Sequence, residues 1–225
     1  MTRRLVAVVS GGGSVLRVAL EHDDLVRSQI VSVVADRDCG ALGMAEGHGI
    51  PTSRIDERDN TAFSDALLAL CREVGADHVV LFFNRLLAGE ILSHYDRRIV
   101  NVHASLLPAF KGLRALEQAV KAGARFLGTT LHFIDANVDE GHIILQSVLP
   151  LDPDGDEALL RHRQFEQMCK GFIQTCHWME EDRIRFSGNT VRIEGARFDQ
   201  PDFSPGLEAA SARRLSVPEP ARVSP

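Results

Sequence analysis

The sequence has few of the residues that mark a specialised class of protein. Its 225 residues include only four cysteines, one tryptophan and one tyrosine. Cys39, Cys71, Cys169 and Cys176 follow no metal-ligand spacing and are too sparse for a disulfide scaffold. We therefore expect reduced thiols, with Cys169 and Cys176 packed on one face of a helix.

Long apolar runs and excess positive charge are also absent. No run is long enough to cross a bilayer, and the apolar stretch after the basic residues 1–4 is too short for a signal peptide. The formal net charge of -6 argues against a general nucleic-acid binder. Because 44% of the residues are hydrophobic, the chain can bury a sizeable core. The composition predicts a cytoplasmic protein of one domain, without nucleic-acid or membrane partners.

Strand and helix patterns alternate along the chain. Apolar runs typical of strands buried on both faces of a parallel sheet occupy residues 5–9, 30–35, 78–83 and 99–102. With amphipathic segments between them, they predict an α/β fold with a doubly wound, mostly parallel, twisted sheet of the Rossmann-like type. We assign residues 1–197 to this domain. Residues 198–225 are rich in Pro, Ser, Ala and Arg and are predicted to be a disordered tail.

A glycine-rich turn, residues 10–14, follows the first apolar run. Such a turn lets backbone N–H groups approach an anion at a helix N-terminus. Leu16 stands where the dinucleotide fingerprint has its third glycine, and no P-loop lysine follows. Two interpretations stay open: a phosphate or carboxylate site, and a flexible turn with Ser14 as the helix N-cap.

Asn101 and His103 lie two residues apart at the end of a predicted strand, so their side chains point to one face of the sheet. Ligands of open α/β sheets bind beyond the carboxyl ends of the strands, where these two donors suit a developing oxyanion. The alternative is a structural histidine beside a turn-forming asparagine. A later strand–loop–strand pattern over 131–144, which contains Asp139, favours chemistry.

Two motifs together carry a family resemblance. The pattern N-x-H-x-S-L-L-P at 101–108 and D-E-G at 139–141 resemble the folate-dependent formyltransferases, over about residues 5–185. Residues 108–112, Pro-Ala-Phe-Lys-Gly, are also similar to the catalytic domain of the family's deformylases. The resemblance implies 10-formyltetrahydrofolate as formyl donor and a small-molecule amine as acceptor, and it implies no metal.

The resemblance assigns the catalytic roles to Asn101, His103 and Asp139. Asn101 can donate an N–H to the oxyanion without titrating, and a protonated His103 adds a charge-assisted donor. Asp139 can accept a proton, directly or through water, as a general base. Ser105 would steady the turn, and His132 would have a supporting role.

The resemblance also implies where the two substrates bind. The folate would lie between two segments that follow strand ends, with the contact residues Asn84, Arg85, Leu86, Leu87, Ile134, Asp135, Ala136, Asn137 and Val138. The acceptor would lie between the first turn and the long late helix, with the contact residues Gly11, Gly12, Gly13, Ser14, Val15, Phe165, Glu166 and Met168.

Family members that formylate glycinamide ribonucleotide have an Asn after the Gly-Ser of the first turn and an acid on the late helix. Here Val15 takes the first position and Met168 or Cys169 the second; Glu166 could substitute only in a shifted helix. A polar ligand left without hydrogen-bond partners binds poorly, so we predict a different acceptor, with an apolar portion beside its amine. Three alternatives stay open: glycinamide ribonucleotide as acceptor in purine biosynthesis, hydrolysis by a deformylase, and folate binding without catalysis.

Overall fold

The computed structural model describes residues 2–135 and 139–219. The strands are β1 (Leu5–Val9), β2 (Ile30–Ala35), β3 (Thr52–Arg54), β4 (His78–Phe82), β5 (Ile99–His103), β6 (Phe126–Phe133), β7 (Ile143–Pro150), β8 (Ile184–Ser187), β9 (Thr190–Ile193) and β10 (Phe203–Ser204). The helices are α1 (Ser14–His22), α2 (Asp24–Gln29), α3 (Gly40–Gly47), α4 (Asn60–Glu73), α5 (Glu90–His94), α6 (Ala115–Lys121), α7 (Glu157–Glu180) and α8 (Ala210–Arg214). No helix within the described ranges is both long and apolar enough to cross a membrane.

Eight of the strands form one sheet in the order β10-β7-β6-β5-β4-β1-β2-β3. Strands β1 to β5 pair in parallel, whereas β6, β7 and β10 join antiparallel. β8 and β9 form a separate hairpin. The predicted mostly parallel α/β fold of one domain is confirmed. The chain order reverses between β1 and β4, and in such sheets the crevice beyond this point is where ligands bind.

Strand β1 divides the protein into two apolar layers. Leu5, Ala7 and Val9 face the core on the side of α1, α3 and α7, while Val6 and Val8 face the core on the side of α4. All five side chains are fully buried because helices cover both faces of the sheet.

The segment after residue 197 differs from its prediction. β10 pairs with β7 and α8 packs on α7, and Phe203, Leu207, Ala212 and Leu215 are buried. The prediction of disorder is therefore wrong for residues 198–219, because a few apolar side chains at suitable spacings are buried in spite of the polar average composition. Residues 220–225 lie outside the described part of the chain.

Asp23 fixes the position of α8. Its Oδ2 accepts hydrogen bonds from His177 Nε2 (2.8 Å) on α7 and from Ser211 Oγ on α8, and its Oδ1 accepts one from Val26 N (2.8 Å). Burial raises the pKa of Asp23, but these hydrogen bonds outweigh it and hold the pKa below its ordinary value. The carboxylate thus ties α8 to α7 and to the junction of α1 and α2.

We predict that Gly128→Ala destabilises the protein by about 2 kcal/mol or more. A Cβ on Gly128, in β6, would lie 2.2 Å from Ser147 O and 2.5 Å from the Leu106 side chain, which belongs to the turn after β5. Urea unfolding measures the loss. The control is Gly43→Ala in α3, where the added Cβ meets nothing within 4 Å and the free energy of unfolding should stay equal or rise slightly. Equal stability of the two variants would contradict the close approach.

Candidate active site

A cavity of about 690 Å³ opens beyond the carboxyl ends of β1, β4 and β5. Most residues that the sequence assigned to catalysis or binding line it: Gly11, Gly13, Ser14, Val15, Asn84, Arg85, Leu86, Leu87, Asn101, His103, Ile134, Asp135, Asp139 and Met168. Gly12, Phe165 and Glu166 are not among its lining residues. The predicted donor contacts Ala136, Asn137 and Val138 lie outside the described residues.

Asn101, His103 and Asp139 all line this cavity. His103 Nδ1 lies 3.6 Å from Asp139 Oδ2, and both side chains are about nine-tenths buried. His103 Nε2 lies 3.1 Å from Phe110 O, to which a protonated nitrogen donates. The three side chains therefore form the arrangement that the two motifs predicted: an amide donor, an imidazole and a carboxylate facing one space.

Asp139 is held in place by its surroundings. Its backbone φ is 54°, in the left-handed region that aspartate tolerates better than most residues. Gly112 N donates to its Oδ2 at 2.8 Å. Two residues on, a Cβ on Gly141 would lie 1.7 Å from Phe133 O, so only glycine lets the chain pass this close to β6. The last residue of the D-E-G motif is therefore required to be glycine by the close approach of two backbone segments.

His132 supports Asn101. Burial lowers the pKa of His132, which keeps the imidazole neutral. The hydrogen-bond pattern assigns the proton to Nδ1, which donates to Phe133 O (3.2 Å), so that Nε2 accepts from Asn101 Nδ2 (3.2 Å). The Asn101 amide carries two N–H groups, and among residues 2–135 and 139–219 the second has no acceptor, which leaves it for a ligand.

Ser105, which the sequence placed in the turn after β5, is joined there by two buried side chains that the sequence did not single out, Thr130 and Gln164. Ser105 Oγ donates to Ala109 O (2.7 Å), and Thr130 Oγ1 donates to Ser105 O (2.7 Å). Gln164 Nε2, on α7, donates to Ala104 O (2.9 Å) and to Gly128 O (2.7 Å). Gln164 and Thr130 are polar residues that the fold buries. A buried polar side chain needs a hydrogen-bond partner, and this need is the feature that marks them as structurally important.

The segment 84–87 runs along the cavity, but the Arg85 guanidinium is turned elsewhere. It donates to Glu57 O (2.8 Å), Arg58 O (2.9 Å) and Asn60 Oδ1 (3.1 Å). Its carbon lies 4.8 Å from the centre of the Phe63 ring. Arg85 thus anchors the segment to the start of α4, and this leaves backbone groups for any ligand contact.

The glycine-rich turn offers uncapped N–H groups. Gly13 is the N-cap of α1, and neither it nor Ser14 caps the helix through a side chain. The alternative with Ser14 as N-cap is therefore wrong. The turn lines the cavity, as an anion site requires.

The late helix contributes one cavity residue, Met168, from the predicted set. Glu166 faces away: its Oε1 is 2.5 Å from Lys170 Nζ, and its Oε2 accepts from Val217 N (3.1 Å). Phe165 packs against the core instead. Glu166 precedes Met168 by two residues and so lies on a different face of the helix, and the structure does not bring this proposed substitute acid to the cavity.

Comparison with known proteins agrees with this geometry. A family model described as formyl transferase matches residues 3–176. The chain is 27% identical over 209 residues to the phosphoribosylglycinamide formyltransferase of Haemophilus influenzae, which covers 90% of this chain and 99% of the relative. Glycinamide ribonucleotide transformylase 1 from Symbiobacterium toebii has a TM-score of 0.79 at 35% identity, covering 85% of this chain and 94% of its own.

A formyltetrahydrofolate deformylase from Pseudomonas syringae is similar in structure, with a TM-score of 0.72 over 85% of this chain and 66% of its own. At 24% identity, that similarity concerns the fold alone. The amide–imidazole–carboxylate cluster is suited to a group transfer at a carbonyl carbon. The chain belongs to the formyl transferase family. The predicted family is confirmed, and with it the family's formyl donor, 10-formyltetrahydrofolate.

Proposed function

We propose that this enzyme transfers a formyl group from 10-formyltetrahydrofolate to the amine of a small, partly apolar acceptor other than glycinamide ribonucleotide. The observation that carries this proposal is the make-up of the cavity. Asn101, His103 and Asp139 line it, and so do Val15 and Met168, which stand where the resemblance calls for an amide and an acid. We expect the reaction to take place in the cytoplasm.

The cavity fits the donor. Its volume of about 690 Å³ lies within the usual range for a drug-sized ligand. Leu81, Leu86, Leu87 and Val102 supply apolar lining, and Asn101 has one N–H without a partner in the described part of the chain. We assign the folate to the space between segment 84–87 and Ile134, with backbone groups contacting its polar edge.

Side chains of this protein can stabilise the charge that develops during formyl transfer and accept the proton that the amine loses. When the amine nitrogen attacks the formyl carbon, the second N–H of Asn101 donates to the oxygen that gains charge, and a protonated His103 adds to that stabilisation. Asp139 accepts the proton that the attacking nitrogen loses. The new bond to the acceptor then replaces the bond between the formyl carbon and the folate nitrogen, which takes a proton as it leaves. No side chain needs to form a covalent intermediate.

The acceptor assignment follows from what lines the cavity opposite the donor. Val15 is almost fully buried, and within the described part of α7 no carboxylate lines the cavity. The amine side of glycinamide ribonucleotide would therefore lose a charged partner there, whereas an amine beside an apolar group would contact Val15 and Met168 favourably. An amino sugar nucleotide or an amino-acid derivative has this chemistry.

Glycinamide ribonucleotide itself is the second candidate acceptor. The relatives named phosphoribosylglycinamide formyltransferase favour it. The uncapped turn at Gly13, which could hold a phosphate, is compatible with both candidates.

Transfer and hydrolysis are separated by incubating the enzyme with 10-formyltetrahydrofolate, alone and with a panel of primary amines. We expect the donor to be consumed only when a suitable amine is present, with the formyl group recovered on that amine. Equal consumption without any amine, releasing formate, would replace the proposal with a deformylase. Saturable binding of the folate without turnover under any condition would leave a non-catalytic binder.

A further inference from the structure

Arg114 lies in the wall of the same cavity, just before α6. Its backbone has φ 59° and ψ 41°, the left-handed conformation that residues with a Cβ rarely adopt. Strained residues of this kind are retained where the surrounding structure enforces them, often at ligand sites. The position therefore calls for an explanation beyond helix formation.

Hydrogen bonds fix the loop that carries Arg114. Gln118 Nε2 donates to Lys111 O (3.0 Å) and to Leu113 O (2.9 Å). On the other side, Gly112 N donates to Asp139 Oδ2. The backbone on both sides of Leu113 is thus tied to α6 and to the catalytic carboxylate, which gives Arg114 a defined place beside the reaction centre.

The guanidinium of Arg114, in contrast, has no hydrogen bond or ion pair with any residue in the ranges 2–135 and 139–219. Glu117, the carboxylate of α6, forms its ion pair with Arg161 at 2.9 Å; the hydrogen bond from Arg161 is the main cause that lowers the pKa of Glu117, and the charge of Arg114 adds only a smaller contribution. The other arginine that lines the cavity, Arg85, donates hydrogen bonds to Glu57 O, Arg58 O and Asn60 Oδ1. Arg114 therefore combines a fixed backbone with unused donors.

We propose that Arg114 binds an anionic group, a carboxylate or a phosphate, on a substrate seated in the cavity. The guanidinium fork matches both groups. The inference rests on the proposed function, because it places a formyl donor and an acceptor in this cavity. The anion has two sources: the glutamate carboxylates of the folate, and a phosphate or carboxylate of the acceptor.

Calorimetric titration of Arg114→Gln tests the assignment with three probes: 10-formylfolic acid, the methylamide of 10-formylpteroic acid (which lacks the glutamate), and inorganic phosphate. We expect binding of one anionic probe to weaken about tenfold, the scale of a partly exposed charge-assisted hydrogen bond. Arg114→Lys should recover part of the loss. The control is Lys121→Gln, an exposed cation at the other end of α6, which should change no affinity by more than about twofold.

A loss for 10-formylfolic acid but not for the methylamide identifies the folate glutamate as the partner of Arg114. A loss for phosphate alone identifies the acceptor. Unchanged affinity for all probes, or equal losses for the two folates without a loss for phosphate, would overturn the proposal. If the wild-type enzyme binds neither folate, the proposed function fails separately, and the phosphate titration still decides for Arg114.

Discussion

Replacing His103 with alanine is expected to lower kcat by about two powers of ten or more, with a much smaller change in KM. A group that stabilises developing charge acts mainly in the transition state, and removal of one such donor costs about this much. His103 lines the cavity, where Phe110 O holds its Nε2 and its Nδ1 lies 3.6 Å from Asp139 Oδ2. Steady-state kinetics with 10-formyltetrahydrofolate and the identified amine give both constants.

His142→Ala is the matched control for this experiment. His142 lies outside the cavity, with its ring 5.5 Å from that of Phe186. We expect its kcat to stay within about threefold of wild type, since the substitution removes packing and no charge at the reaction centre. If His103→Ala turned over as fast as His142→Ala, the chemistry would have to be assigned to other residues.

Asp139→Asn should cause a loss of kcat of similar size, about a hundredfold or more. The substitution keeps the shape, and the amide oxygen can still accept from Gly112 N, so the loop should stay in place. What disappears is the negative charge beside His103 and the capacity to accept a proton. The kinetic constants are measured as for His103, with unfolding curves to show that stability is retained.

Asp154→Asn removes the same charge from an exposed turn before α7 and should leave kcat unchanged within about twofold. An Asp139→Asn enzyme with more than half of the wild-type kcat would exclude Asp139 as the general base. Water or another base would then have to accept the proton from the attacking nitrogen.

Local patterns were sufficient to predict the parallel half of the fold. The apolar run of β1 predicted its burial on both faces, and the two-residue spacing of Asn101 and His103 predicted their shared direction. Both inferences depend only on the strand period and on the position of ligands at sheet edges. They needed no knowledge of distant contacts.

Features that depend on long-range contacts could not be predicted in the same way. The Arg85 side chain turns to α4 because carbonyl groups more than 25 residues away accept its hydrogen bonds. Glu166 is held by Val217, from a segment whose composition indicated disorder. The average composition of a short segment does not show the few apolar residues that anchor it. The packing of α8 could therefore not be predicted from composition and is seen only in the structure.

The acceptor is tested most directly by the kcat/KM of the wild-type enzyme for glycinamide ribonucleotide, measured beside a Val15→Asn/Met168→Glu double variant. We expect poor turnover by the wild type and a gain of about tenfold or more in the variant, which restores the amide and the acid to the cavity wall. A wild-type kcat/KM of about 10⁴ M⁻¹s⁻¹ or above, in the ordinary range of enzymes with their own substrates, would contradict it and assign the protein to purine synthesis.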